Sequence, residues 1–456
     1  MLLLQAFIAA TLGGVLYTII GIIPGTDETA TMAPVTLILV LMGLPGEVLF
    51  AWFVGIIVAM QISHTIPTAM AALPGSTMAV PMVLNSSIAK RLGIPHVAMR
   101  KMAAGSLIGS ITGLVVAIGF ALLMAPLGNM VKPYIGLIFT IGAMVIGYMS
   151  KAKWGAVIAL FPFAFLIQGF QRIAVEGVGK TLFISIFMGI TIGPMIAEVF
   201  NIFIPSQRDK QRRNKPSTIW LAPDSSKKTG IFPNPFKIFT KKQNKTILLM
   251  SSIGACTFTF SPVGMTVMLG EIINGKCKEL YERVTTTLGV QDSISNSTYL
   301  GEFIIPLIAF AGLPLSPMAA GPGAPLFNAP PRFTVEPLNN LAQLLSIPDY
   351  FIFGFIGIVG GALFAFPIAI KKARSWTELM FRAVSHEALI GAFIGLICML
   401  AFYEAGILGI FVAVSIGIFG GLLHNLFGIH TGVQFMAYYA SGYIVTQALA
   451  LAKILI

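Results

Sequence analysis

Two neighbouring carboxylates, Asp27 and Glu28, follow Pro24-Gly25-Thr26 directly inside a long apolar stretch of this 456-residue chain. An ionisable group in such a setting is costly to keep out of water, and so is a candidate for chemistry by default. Carboxylate oxygens suit a hard cation such as Na+, with unwound backbone carbonyls completing the shell, or they relay a proton. The competing reading is a loop that reaches water and leaves both groups solvated. A third carboxylate, Asp292, opens the polar run Ser293, Ser295, Asn296, Ser297, Thr298, with Glu302 beyond it. At helical spacing Asp292, Asn296 and Tyr299 share one face, which fits either a solute cavity or a helix entering from water.

Proline next to glycine in an apolar stretch removes one backbone donor and permits unusual dihedrals, so it breaks a helix. The new helix N-terminus then presents free N–H groups and a positive partial charge, which receive anions well. Pro24-Gly25-Thr26, Pro74-Gly75-Ser76-Thr77 and Pro314-Leu315-Ser316 fit this pattern, each carrying a hydroxyl. An ordinary proline kink would read the same way for any one of them. Taken as a set, they nominate Pro24, Gly25, Thr26, Pro74, Gly75, Ser76, Thr77, Gly264, Thr266, Asn296, Pro314 and Ser316 for an anionic solute. Asp27, Glu28 and Asp292 are the candidates for a coupling ion, Na+ or H+.

The remaining polar residues suggest less. His64 with Gln61, and His424 with His430, lack metal-ligand spacing and read as hydrogen-bonded interior or interfacial histidines. Cys256, Cys277 and Cys398 show no CxxC spacing and read as small buried residues. Glu404 reads as a loop tip between two close spans. No nucleophile elbow, P-loop or paired-carboxylate pattern stands out, and no cofactor or resident metal is expected.

The elements that must position these groups are membrane helices. The chain is 56% hydrophobic and 10% charged, with mean hydropathy +0.88, whereas soluble domains carry about 25% charged residues. Lipid must therefore solvate much of it. The N-terminal run MLLLQAFIAATLGGVLYTIIGIIPG reads as a first spanning helix and not as a removed signal. Clear spans lie near 2–23, 103–125, 133–149, 152–169, 180–203, 350–370, 386–402, 405–422 and 430–452. Regions 24–85 and 247–328 are apolar but interrupted, which brings the expected total to about 12 transmembrane helices.

Of the 29 Lys and Arg residues, eleven fall between Arg208 and Lys245. That clustering fits an orientation signal on the cytoplasmic side, or a patch against anionic lipid, and excludes a nucleic-acid surface. Lys90, Arg91, Arg100 and Lys101 mark a second inside loop, and Lys151 with Lys153 a third. Lys371, Lys372, Arg374 and Arg382 mark a fourth. The organisation is a membrane repeat over 1–205, a basic cytoplasmic loop over 206–246 and a second membrane repeat over 247–456.

The two interrupted regions resemble each other. Pro24 and Pro67 are 43 residues apart, and Pro262 and Pro306 are 44 apart. Leu73-Pro74 and Leu313-Pro314 follow, with Met78-Ala79 and Met318-Ala319 at equal distances beyond. Basic loops then swap sides: 126–132 carries only Lys132 whereas 371–382 carries four basic residues. By the positive-inside rule the repeats are inverted, with broken helices or re-entrant hairpins meeting between them.

The ordered blocks resemble the large membrane subunit of the tripartite tricarboxylate transporters over nearly the whole chain. The resemblance is carried by GIIPGTDETATMAPVT, AALPGSTMAVP, AKRLGIPHVAMRKMAAGSLIGSITGL and GVQDSISNSTYLGEFIIPLIAFAGLPLSPMAAGPGAPLF. It implies ion-coupled uptake of small carboxylates, with a small membrane subunit and an extracytoplasmic solute-binding protein as partners. The sequence departs from the family at Pro262-Val263-Gly264, at Pro314-Leu315, at Ser295 beside Asn296 and at Thr26-Asp27-Glu28. The expectation is a multi-pass secondary transporter of the cytoplasmic membrane, not an enzyme. A lipid or lipid-phosphate flippase is the first rival. An intramembrane enzyme is the second, and it requires Asp27 with His64, or Asp292 with a histidine, in hydrogen-bond reach.

Overall fold

The computed structural model describes residues 1–23, 28–72, 75–148, 152–179, 181–190, 193, 196, 204–206, 230–258, 262–276, 279–327, 340–383, 386–429 and 431–455. Every regular element among them is helical. Among the described residues, six helices are long and apolar enough to cross a membrane, by length and composition. Their outward faces carry exposed Leu4, Leu12, Leu123, Ile158, Ile407 and Leu422, as lipid-facing surfaces do. The chain is a multi-pass membrane protein.

Two helices form the centre. Helix α3 (Gly46–Ser63) is apolar and, apart from half-buried Glu47, buried along its whole length. Helix α11 (Leu280–Ala309) is also buried from Val284 onward, although it carries Thr285, Gln291, Asp292, Ser295, Asn296 and Glu302. A helix walled by protein on all sides needs no apolar outer face. That is why α11, at 30 residues, is long enough but not apolar enough to read as a lipid-facing crossing.

Each central helix anchors a trio. Helices α1 (Leu2–Ile22) and α12 (Ile347–Pro367) pack on α3 and on each other. Helices α6 (Pro95–Val131) and α9 (Lys241–Cys256) pack on α11 and on each other. Each trio thus combines both halves of the sequence.

Lipid tails are as apolar as leucine, so these contacts depend on close packing and interhelical hydrogen bonds rather than on hydrophobic burial. Gly105, Gly109 and Gly113 of α6 sit against the backbone of Gly289, Ser293 and Ser297 of α11, so tightly that an added Cβ would overlap the neighbouring main chain. The four-residue spacing on both helices makes them run parallel. Asn296 Nδ2 ties the seam by donating to the Ser106 carbonyl at 3.0 Å and to Ser110 Oγ at 2.6 Å. The other trio uses the same device, with Gly14 against Gly360 and Gly361, and Gly361 against Gly55.

At 37 residues and 1.5 Å per residue, α6 is about 56 Å long, well beyond a hydrocarbon core of about 30 Å. Its first turns carry Arg100 and Lys101. Lys101 Nζ donates to Gln243 Oε1 and Thr285 Oγ1, both at 3.2 Å, and lies 5.8 Å from the Phe239 ring. It thereby fastens the stretch leading into α9 onto α6 and α11. That helix starts at Lys241, ahead of its apolar run, because Thr240 and Gln243 form a capping box.

Helices α7 (Ile135–Tyr148), α8 (Trp154–Val178), α14 (His386–Phe427) and α15 (Thr431–Leu455) pack at the flank. Ala405 and Gly406 have non-helical dihedrals and divide α14 into two runs, matching the two spans expected on either side of Glu404. The Glu404 carboxylate accepts the N–H groups of Phe183, Ile184 and Ser185 at 2.7–2.8 Å and the Ser185 hydroxyl at 2.6 Å. The expected loop tip is therefore also the anionic cap of the helical segment 184–190.

Candidate functional site

The site begins where α3 ends. His64 links α3 to the short helix α4 (Thr65–Ala71), which stops at Ala72 in a left-handed conformation, φ 58°. Gly75 then passes over the start of that turn, where an added Cβ would lie 2.5 Å from the His64 carbonyl and 2.9 Å from that of Gly21. Only glycine allows so close an approach. A tight helical turn, Thr77–Met82, follows. On the other half, α11 ends at Phe310, Ala311 (φ 53°) and Gly312 (φ 75°) reverse the chain, and Ser316 caps the four-residue helix Pro317–Ala320. A left-handed alanine precedes Leu-Pro in both halves, directly as Ala72 before 73–74 and with Gly312 between as Ala311 before 313–314.

A hydrogen-bonded chain joins the halves. His64 Nδ1 lies 2.8 Å from Ser76 Oγ, and Nε2 lies 3.2 Å from Asp292 Oδ1. All three side chains are buried. One turn away, Ser295 Oγ donates to Gln61 Oε1 at 3.1 Å. Asp292 Oδ2, Glu302 Oε1, Gln61 Nε2 and Thr266 Oγ1 are buried without a hydrogen-bond partner among the described residues. Unpartnered groups of this kind are expensive, by about 1–3 kcal/mol each and more when charged.

Two further carboxylates face the backbone four residues beyond Pro74 and Pro314. Glu28 Oε1 accepts the Met78 N–H at 3.3 Å, and Glu302 Oε2 accepts the Met318 N–H at 3.2 Å. At these two N–H groups the anion present is therefore the chain's own.

The nominated residues separate into groups. Pro24, Gly25, Thr26, Asp27 and Pro74 lie outside the described residues. Glu28 is 2% exposed and Asp292 is fully buried, so neither is the solvated side chain that the sequence left open. Gly75 and Ser76 sit at the centre, and Thr77 opens the turn beside them. Gly264 and Thr266 belong to helix α10 (Pro262–Lys276), which packs on α11 and on the Thr77–Met82 turn. Asn296 braces α11 to α6. Pro314 is buried, and Ser316 donates to the Glu302 carbonyl and accepts from Ala319 N–H, so both help shape the break. Cys256 and Cys398 are half-buried instead of buried, and Cys277 and His430 lie outside the described residues.

Two central groups, His64 and Glu302, were not nominated. The signal that singled out Asp27 and Glu28 applied to them equally: each is ionisable and stands inside an interrupted apolar region.

Chemically, the Ser76–His64–Asp292 chain offers a buried carboxylate and imidazole in contact, able to hold a cation or to pass a proton. Matching the chain against protein families, the profile described as the Tripartite tricarboxylate transporter TctA family covers residues 7–431. No curated protein and no solved structure matches it. With nearly its whole length covered, the chain belongs to the TctA family, the large membrane subunits of tripartite tricarboxylate transporters.

Proposed function

We propose that the protein is a secondary active carrier of a small carboxylate solute, of the tricarboxylate class its family implies, driven by Na+ or H+ across the cytoplasmic membrane. The observation that carries this reading is the buried contact between His64 of one half and Asp292 of the other. A carrier needs a titratable or cation-binding group at the junction of two elements that move against each other. The solute's carboxylates would engage the hydroxyls and backbone donors around Ser76, Thr77 and Thr266, with Glu28 and Asp292 handling the coupling ion. A small membrane subunit and an extracytoplasmic binding protein would complete the system, and the basic loop 206–246 would face the cytoplasm.

Two relations support the inverted repeat. Pro67 and Pro306 lie 239 residues apart. The same shift carries Phe53 onto Asp292 and His64 onto Phe303. Phe53 and Phe303 are in contact, with ring centroids at 4.5 Å, just as His64 and Asp292 are. A two-fold operation exchanging the halves would map each of these contacts onto the other. Correspondingly, the first turns of α6 lie beside the end of α12, so these matching spans point in opposite directions.

Counterflow of labelled citrate in proteoliposomes, with and without a Na+ or pH gradient, is the direct test. Exchange should be saturable and gradient-dependent, and Glu28→Gln should uncouple it from the gradient by about tenfold or more, the size of one charge-assisted hydrogen bond. No exchange for any carboxylate, alongside movement of an undecaprenyl-type lipid, would replace this reading with the flippase.

One observation favours a second reading. Serine, histidine and aspartate in hydrogen-bonded sequence are the parts of an acyl-transfer triad, and Asp292 with a histidine is the pair an intramembrane enzyme requires. A fluorophosphonate probe should leave Ser76 unlabelled in the membrane-embedded protein. Stoichiometric labelling that disappears in Ser76→Ala would favour hydrolysis over transport.

A further inference from the structure

A buried seam of polar side chains runs from the His64–Asp292 contact toward a basic end of the molecule. Helix α5 (Val83–Arg91) follows the Thr77–Met82 turn and ends at Lys90 and Arg91. Helix α11 starts at the same end, where Thr285 is fastened to Lys101 in the first turns of α6. The two helices pack together, and Asn85 Nδ2 of α5 donates to Gln291 Oε1 of α11 at 3.4 Å. Helix α10 closes the third side, with Gly270 against the Gln291 side chain. Asn85, Ser86, Thr287, Gln291 and Asp292 are all buried.

Closing the fold does not require these residue types. A hydroxyl inside a helix ordinarily bonds to a carbonyl of the preceding turn, as Ser110 does with Ser106 and Thr285 with Tyr281. Ser86 Oγ and Thr287 Oγ1 make no hydrogen bond among the described residues. The repeat provides an internal control. The 239-residue shift that carries Phe53 onto Asp292 also carries Val48 onto Thr287, and it carries Asn85 and Ser86 onto Ala324 and Pro325. Val48, Phe53, Ala324 and Pro325 are apolar and equally buried. The corresponding places in the other half are thus filled by apolar side chains.

We propose that the seam between α5, α10 and α11 is the cytoplasmic half of the translocation route, along which the carboxylate solute and its coupling ion leave the His64–Asp292 junction when the seam opens. The identity of what passes rests on the carrier reading. The stretch of α11 from Leu280 to Asp292 is about 18 Å long, the depth that the route has to cover. Amides and hydroxyls donate and accept without carrying a fixed charge. A wall of them can therefore hand along a carboxylate and a cation alike without trapping either, which conduction along a lined path requires. An acyl chain would gain nothing from such a wall.

Cysteine accessibility in the full-length protein tests the route. Cys256, Cys277 and Cys398 are replaced by alanine, and Ser86→Cys or Thr287→Cys, each close in size to the original residue, is introduced singly. A membrane-impermeant methanethiosulfonate reagent is then applied to right-side-out or inside-out vesicles. Both cysteines should label from the cytoplasmic face at least tenfold faster than from the opposite face. Both should also outpace Ala117→Cys, a fully buried position of α6, by tenfold or more. No labelling, equal labelling from the two faces, or a rate no greater than that of Ala117→Cys would overturn the seam. Should either variant fail to fold, Ala89→Cys, buried on α5 one turn beyond Asn85, takes its place under the same criteria. The reagent reports access without any solute, so the two readings fail separately. Labelling without counterflow of citrate or any other carboxylate would remove the carrier and uphold the route. Counterflow without labelling would remove the route and uphold the carrier.

Discussion

Asp292→Asn should lower gradient-driven carboxylate uptake by roughly 10–100-fold, the equivalent of one charge-assisted hydrogen bond, while the protein stays folded. Asparagine keeps the size of the side chain and a partner for His64 Nε2, which lies 3.2 Å from Asp292 Oδ1. It removes only the charge. A neutral amide is easier to bury than a carboxylate whose second oxygen has no partner among the described residues. The thermal midpoint should therefore hold or rise as transport falls, the opposite of what a damaged core would give. His64→Gln should cause a similar loss, and the double variant should lose little more, because the two residues act as one unit. Initial rates of counterflow with and without an imposed Na+ or pH gradient provide the measurement. Wild-type gradient dependence in Asp292→Asn would reduce this pair to a structural contact.

The second large effect concerns packing. Gly109→Ala should destabilise the protein by about 1–3 kcal/mol, the usual result of overfilling a tight contact, and Gly109→Leu should leave little folded material. A Cβ at Gly109 would lie on the Ser293 main chain, one residue from Asp292. Gly119 sits on the same helix with open space around it, so Gly119→Ala should be neutral or slightly stabilising, since alanine is the better helix former by about 0.5–1 kcal/mol. Thermal midpoints of the two alanine variants, measured side by side, separate close approach from helix propensity. Equal midpoints would mean that α6 and α11 do not touch as described.

The sequence displayed its lipid-facing elements clearly and its centre poorly, for one physical reason. Helices α1, α6, α8 and α12 border lipid, so their apolar runs announce them. The division of α14 near Glu404 was legible too, because a carboxylate between two apolar runs has to find polar company. Helix α11 borders protein alone, and its run from Thr285 to Thr298 resembles a water-exposed segment unless its burial is known. The paired Leu-Pro motifs were readable from spacing. That the N–H groups of Met78 and Met318 meet Glu28 and Glu302 was not, because Glu28 reaches across 50 positions of sequence to do so. The same holds for His64, whose partner Asp292 lies 228 positions away.

The mixed make-up of the trios bears on how the protein is made. Helices α1 and α3 leave the ribosome long before α12, and α6 is threaded into the bilayer well ahead of α11. For that interval the Gly105–Gly109–Gly113 face of α6 lies unmatched in lipid, open to the α11 of any neighbouring nascent copy. Severing the chain within the loop at 206–246 would thus yield two fragments that cannot mature apart but should reassemble when synthesised together.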